Sequence, residues 1–433
     1  MIKILVNIAR LIVAPIVVLF IGVVAFAANL KKPPVKPRLV WGPIPIISNK
    51  YWTQAMRAAG YESKTIMYPQ YRINQESDFD LYIHRLIKFP LIGSSIGRVF
   101  GPYLTFIYSL WEFDIFHHPV SGGFLGQTPL WRCEALFLYW ARKKVVILPY
   151  GGDLYRYSKV IDPCLRHALL LSYPLASRRE AEVEKRVSYW VENADVFVPF
   201  LQIDGVGRWD LLPVSMVTID TKLWLAKREY SNANGVNGVV NIIHSPNHRG
   251  FKGTEFLVSA IDELRLEGLK VNLILVEGVP NNEVKRIMEE DADILAEQFL
   301  FTGYAMSGIE GMASGIPVLA NLDSETYTRL FRRYSYLDEC PVLSTTPESL
   351  KDNLRLLIIN PILRKSLGMA GRKYVEKYHS IEAAQYIFNS VYDRIFFGKE
   401  VDLMNLFHPL KSDYMNSLGL VDHPLVDSRL PVE

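Results

Sequence analysis

Cysteine is scarce: only Cys133, Cys164 and Cys340 occur in 433 residues. An odd number at wide spacing excludes a disulfide framework and a zinc knuckle. No Asn-x-Ser/Thr sequon is present. Both absences favour a reducing, non-secreted location. Strong net charge is missing too, at +3 overall. No lysine/arginine run or nucleic-acid module is seen, so nucleic acid is not an expected partner. Hydrophobic residues make up 49% and charged ones 21%, which excludes a largely disordered chain. No short-period repeat is visible.

The small net charge hides an asymmetry. Residues 1–205 hold 24 basic and 15 acidic residues, whereas residues 206–433 hold 24 and 30. A basic first half suggests an anionic partner, either a membrane surface or a phosphate-bearing acceptor.

One long apolar run is present. Leu11 to Leu30 contains no charged residue, and about 20 apolar residues span a bilayer as a helix. A cleaved signal peptide is the alternative, with a shorter apolar core of ~7–15 residues and Ala25, Ala27 and Ala28 as its small residues. Lys31, Lys32, Lys36 and Arg38 outweigh Lys3 and Arg10 as flanking cations. The positive-inside rule then predicts a single-pass protein with its folded domains on the cytoplasmic side. Residues 1–35 read as a transmembrane anchor and linker, with Pro33, Pro34 and Pro37 stiffening the link.

Short apolar runs then alternate with helical patterns. Arg38–Trp41, Asp114–His117, Val145–Pro149 and Val196–Phe200 read as strands, with helices at Trp131–Arg142 and Arg178–Trp190. After a polar loop at Ser231–Gly238, Val239–Ile243, Val271–Val276 and Val318–Ala320 read as strands, and Thr254–Leu264 and Gly308–Ala313 as helices. The alternation predicts an α/β fold of two Rossmann-like, doubly wound domains, at 36–212 and 213–380. Ser380 reads as the N-cap of a helix over 381–398 that returns to the first domain. Residues 399–433 have weak periodicity and stay unassigned. Leu81–Trp111 mixes apolar residues with Arg85, Lys88 and Arg98. It reads as a core helix pair broken at Pro90, Gly93 and Gly101, or as a bilayer-surface segment.

Two segments carry candidate chemistry. His244-Ser-Pro-Asn247-His-Arg249-Gly250-Phe-Lys252-Gly253-Thr254 follows a strand and opens a helix. Small residues admit close backbone approach, and Arg249, Lys252 and helix amides add positive charge suited to a diphosphate. In the second segment Ser307 and Gly308 begin a helix, which again suits phosphate. Glu310, within its first turns, can accept two ribose hydroxyls. In the first half, Asp153 follows Gly151-Gly152 after a strand and either orients an acceptor or caps a helix. Asp78-Phe79-Asp80 has the spacing of a metal-binding pair, but Asp80 reads as a capping residue.

The two segments together resemble the second domain of retaining glycosyltransferases with the GT-B fold, the family 4 (glycosyl transferases group 1) type. Ile309-Glu310-Gly-Met-Ala-Ser-Gly-Ile-Pro-Val318, Asp220-Thr221, and the tail from Leu363-Arg364 to Tyr378-His379-Ser380 carry the resemblance. It implies a nucleotide-diphosphate donor, a UDP-sugar foremost, with retention and neither metal nor cofactor. The acceptor is a glycan or a lipid-linked glycan. Arg249, Lys252 and His117 take the catalytic roles. Asn247, Gly250, Gly253, Ser307, Gly308 and Glu310 take the donor, and Gly152 and Asp153 lie on the acceptor side. Thr302 stands where the motif's first glutamate is usual, and Asn247 where an arginine is, with Arg249 two positions later. A non-catalytic glycan- or nucleotide-binding subunit of a membrane assembly is the alternative.

Overall fold

The computed structural model describes residues 2–68, 74–83 and 93–431. The first sheet is formed by β1 (Leu39–Trp41), β2 (Ser63–Met67), β3 (Leu81–Tyr82), β4 (Ile115–His118), β5 (Lys144–Ile147) and β6 (Val196–Phe197). Its order is β3-β2-β1-β4-β5-β6, and every pairing is parallel. The second sheet is formed by β7 (Val240–His244), β8 (Val271–Leu275), β9 (Ile294–Thr302), β10 (Val318–Asn321) and β11 (Leu343–Ser344). Its order is β11-β10-β9-β7-β8, again parallel. Parallel strands covered by helices on both faces lose water on both sides, which is why they are short apolar runs rather than alternating ones. The chain therefore has two doubly wound Rossmann-like α/β domains. Strand order reverses between β1 and β4 in the first domain and between β7 and β9 in the second. Ligands of such sheets bind beyond the strand carboxyl ends at these points.

Sequence periodicity missed β2, β3, β9 and β11. Asp80 does not cap a helix. Its Oδ2 accepts from the Thr65 amide (2.8 Å), the Thr65 hydroxyl (2.9 Å) and Arg57 (2.6 Å), so it ties the β3 approach to β2. Asp78 accepts from the Gln75 amide and pairs with Lys50 at 2.7 Å.

The apolar helix runs over Ile2–Asn29, and Leu5–Asn29 is long and apolar enough to cross a membrane. It is not a tether held apart from the domain. Arg10, Ala14, Ile21, Ala25 and Ala28 are buried on one stripe, packed against helices Gly93–Glu112 and Glu134–Trp140. Leu11, Ile12, Ile16, Leu19, Val23 and Phe26 point outward. Part of the Leu81–Trp111 segment, residues 84–92, lies outside the described residues. The segment opens as β3, and from Gly93 it is one helix that runs through Gly101 and Pro102 and buries Tyr103, Phe106 and Leu110.

The domains are joined twice. The Ser380 hydroxyl caps helix Ile381–Ile395 by accepting the Ala383 amide at 3.1 Å. This helix leaves the second domain and packs on helix Ile47–Ala58 of the first. The residues after it wrap the second domain. Leu403, Phe407, Met415 and Val421 are buried, Tyr414 stacks on Tyr386 with centroids 4.1 Å apart, and the Ser344 amide of β11 donates to the Ser428 carbonyl at 2.7 Å.

His117 is held in the joint between the returning helix and the first sheet. It stacks on Trp41 at 3.7 Å. Its Nδ1 contacts the Val40 carbonyl at 3.1 Å and its Nε2 the Tyr392 hydroxyl at 2.9 Å. Removing that hydroxyl strands a buried ring nitrogen, which costs about 1–3 kcal/mol. Tyr392→Phe is expected to lower the denaturant midpoint accordingly. An unchanged midpoint would show that the contact contributes nothing.

Candidate functional site

In the second domain, the His244–Thr254 segment leaves β7, makes a single helical turn at Arg249–Lys252 and reverses at Gly253, whose φ is +78°. A left-handed backbone of this kind favours glycine. Gly253 is followed directly by helix Thr254–Leu266. His244 is wholly buried, its Nδ1 2.6 Å from the Ala296 carbonyl and its Nε2 2.8 Å from the Thr254 hydroxyl. Burial pushes it down to about 4, so it is a neutral structural imidazole. Asn247 and Gly250 are exposed on the outer side of the turn. Arg249 is 43% exposed at its side chain and pairs with Glu255 (3.0 Å) and Glu277 (3.2 Å).

Lys252 points the other way, into the protein. Its Nζ is 2.9 Å from Glu297 Oε1 and 2.8 Å from Gln298 Oε1, both on β9. The same Glu297 oxygen accepts from the Ala305 amide (3.1 Å) and the Ser307 hydroxyl (2.9 Å), at the start of helix Met306–Ala313. Lysine, hydroxyl and helix amide thus converge on one anion, and that anion is a carboxylate of the protein. Gly308 lets the carboxylate lie directly on the helix: a Cβ there would come within 2.9 Å of Glu297 Oε2. Glu310 is buried, and its Oε1 accepts from Asn281 Nδ2 at 3.1 Å. Burial, reinforced by Glu297, pushes it up to about 7. Burial together with Glu310 also pushes the phenol of Tyr51, on helix Ile47–Ala58 of the first domain, up to about 12.

The two domains touch across this face. Helix Pro163–Ser172 of the first domain rests on the Arg249–Lys252 turn and on β9. Tyr173 meets His248 edge-on at 4.6 Å, and Gln202 donates to the Thr302 carbonyl.

In the first domain the expected histidine is displaced. His117 does not face the cleft. Full burial among Trp41, Phe388 and Tyr392 pushes it down to about 3. A β-strand sends successive side chains to opposite faces, so its neighbour His118 lies on the other side, against Trp190 at 4.5 Å. His118 Nε2 is buried with no partner among the described residues. Beside it runs the turn Ser121-Gly122-Gly123-Phe124-Leu125-Gly126, held by Arg186, which donates to the Ser121 (2.6 Å) and Gly126 (2.9 Å) carbonyls. Asp153 is buried, accepting from the Val120 (2.8 Å) and Tyr150 (3.0 Å) amides. Burial nevertheless pushes it up to about 6. It fixes the loops after β4 and β5 to each other, while Gly152 is exposed beside it.

Over these strand ends lies a cavity of about 1290 Å³, lined by Gly122, Gly123, Gly152 and Asp153 and walled by Arg10, Arg98, Arg179 and Arg186. Sequence reasoning missed Glu297, Glu134 and this arginine set, because only the fold brings the groups around them together. Only the basic excess of the first half hinted at the arginines.

No family model matches the chain, and no curated protein matches it. Solved structures similar to it include Anabaena Alr3699/HepE in complex with UDP, at 12% identity and a TM-score of 0.48, covering 82% of this chain and 99% of that one. AviGT4, a glycosyltransferase involved in avilamycin A biosynthesis, is 12% identical with a TM-score of 0.40 and coverages of 84% and 99%. The wall teichoic acid polymerase TagF (H444N variant) is 11% identical with a TM-score of 0.40 and coverages of 92% and 98%.

Glu134 gives a pH test of the first half-site. It is fully buried under the glycine turn, with Oε2 unpartnered among the described residues. Burial pushes it up to about 8 from 4.5. The folded protein then keeps a proton that the unfolded chain releases above about pH 4.5. The stability this group contributes is full below that pH and is lost as pH climbs to about 8. The wild type should lose stability relative to Glu134→Gln across that window in thermal unfolding. Parallel curves would mean that the carboxyl is already ionised in the fold.

Proposed function

We propose that the chain is a membrane-associated glycosyltransferase that moves a sugar from a nucleotide-diphosphate donor, UDP foremost, to a glycan or lipid-linked acceptor. The observation that carries this is the convergence of Lys252, Ser307 and the Ala305 amide on a single anion position at the carboxyl edge of the second sheet. A donor phosphate has the charge and acceptor oxygens to take that position, with Arg249 swinging from its exposed carboxylate partners to the outer phosphate oxygens. Cations placed beforehand stabilise charge that develops on a leaving diphosphate. Glu310, adjacent in the same helix, would accept the ribose hydroxyls. In this reading configuration is retained, no metal takes part, and the leaving phosphate takes the acceptor proton, so no carboxylate base is called for. His117 is left out of the catalytic set because it lies in the interdomain core.

The outward apolar face of helix Ile2–Asn29 supports membrane attachment, with the helix lying on the bilayer because its other stripe is packed on the first domain. Removing the helix would strip the packed faces of helices Gly93–Glu112 and Glu134–Trp140 of their cover, so tests belong on the full chain in detergent.

A second reading is favoured by one observation: both candidate cations are already paired with carboxylates. In that case the chain is a nucleotide- or glycan-binding subunit without turnover.

Three measurements separate the readings. Nucleotides are screened by thermal unfolding with and without EDTA, where a ligand at 100 times its Kd adds about 2.7 kcal/mol. A shift with UDP or GDP that survives EDTA supports a metal-independent donor site, and a shift without transfer or donor hydrolysis supports the binding subunit. Arg249→Ala should lower turnover roughly 10²–10³-fold; an unchanged rate removes Arg249 from the mechanism. Glu297→Gln should tighten nucleotide-diphosphate binding by removing the competing carboxylate. Weaker binding would mean that Glu297 organises the site instead of occupying it.

A further inference from the structure

The large cavity of the first domain has an unusual wall. One side is the carboxyl edge of the sheet, through the loops that carry Gly122, Gly123 and Asp153. The opposite side is the N-terminal apolar helix, through Ile8, Arg10 and Leu11. Ile8 and Leu11 are more than half exposed and belong to the outward apolar face of that helix. A bilayer covering this face would therefore meet the cavity at its rim.

The interior is cationic. Arg10, Arg98, Arg179 and Arg186 line it, against Glu182 and Asp153. Glu182 pairs with Arg186 at 3.6 Å, and Asp153 is turned onto backbone amides with its carboxyl pushed up to about 6 by burial. Arg98 and Arg179 have no ion-pair partner among the described residues and are exposed to the cavity's solvent. Arg10 is the most telling. It is 8% exposed, and among the described residues it donates only to the main-chain carbonyls of Gln127 and Arg98. Its Nε has no partner among the described residues. A buried guanidinium without a counter-ion is costly, because carbonyl dipoles replace only part of its hydration. Arginine also matches phosphate oxygens with two parallel donors.

We infer that this cavity binds the phosphate or diphosphate of a lipid-borne acceptor, with the headgroup on Arg10, Arg98 and Arg179 and the tail leaving past Ile8 and Leu11 into the bilayer. Arg186 is a positioning residue that holds the glycine turn. The acceptor sugar, joined to the headgroup, then lies over the β4 and β5 ends and faces the second domain. The inference rests on the glycosyltransferase reading for the word acceptor, but the lipid-phosphate site is measurable without turnover.

The test is flotation of the full chain with phosphatidylcholine vesicles in three forms. These are plain vesicles, vesicles carrying a polyprenyl diphosphate, and vesicles carrying phosphatidylglycerol at matched surface charge. The diphosphate vesicles should be preferred over both. Arg98→Ala/Arg179→Ala, at two exposed positions, should lose roughly tenfold or more of that preference while still binding plain vesicles through the helix. Arg10→Lys should also lose it, since an ammonium lacks the two-donor fork. Equal binding to the diphosphate and matched-charge vesicles would overturn the inference, leaving surface electrostatics alone. Full competition by inorganic pyrophosphate at its own micromolar affinity would also overturn it, because the lipid would then be irrelevant. The nucleotide shift is read on the same preparation. A nucleotide shift without lipid preference sinks this inference alone, whereas lipid preference without a nucleotide shift sinks the donor reading and leaves the lipid site standing.

Discussion

The arrangement of the molecule depends on one aromatic joint. Trp41 at the end of β1, His117 at the end of β4, and Phe388 and Tyr392 on the returning helix pack as a single buried unit. The imidazole is neutral and bonded at both nitrogens, so it has one orientation and one partner on each side. A chain that crosses once between domains can swing freely about the crossing. Here the second crossing ends in this joint, which limits how the two switch points can face each other. The histidine that family resemblance would send to the donor is used to hold the frame.

The second constraint is the buried Lys252–Glu297 pair. A lysine this deep needs a counter-charge, and breaking such a pair costs roughly 3–5 kcal/mol. Glu297 meets the need and also takes the hydroxyl and amide at the next helix's start. Charge that would otherwise face the cleft is already organised by groups of the protein itself. Such an arrangement suits a site where one anion exchanges for another with little rearrangement, since the donors keep their positions and only the acceptor oxygens change. The same physics sets the first half-site apart. Its guanidinium groups are held by main-chain carbonyls or face solvent, so its charge is left open to an outside anion.

Much of the fold was legible. Runs such as Val145–Pro149 and Val239–Ile243 are buried on both faces and must be apolar throughout, so they announce a parallel sheet. Ser380 announced the returning helix because its hydroxyl has one geometric use there. The strands that were missed lack such a mark. β2 reads Ser-Lys-Thr-Ile-Met and draws its pairing from Asp80 and from the Trp41 indole, which donates to Ser63. The middle of β9 carries Glu297 and Gln298, polar residues that the strand tolerates because Lys252, Ser307 and main-chain groups satisfy them.

The sequence alone determined the local terms: two α/β series, a long apolar helix, glycines where the backbone turns left-handed, and a basic first half. These depend on neighbours within a few positions, so spacing and composition are enough to read them. The tertiary structure alone decided the partners. Lys252 meets Glu297 across 45 positions, Arg10 reaches Gln127 across 117, and His117 meets Tyr392 across 275. Whether a charged or titratable side chain serves the frame or the cleft is a matter of which distant group neutralises it, and no local pattern encodes that.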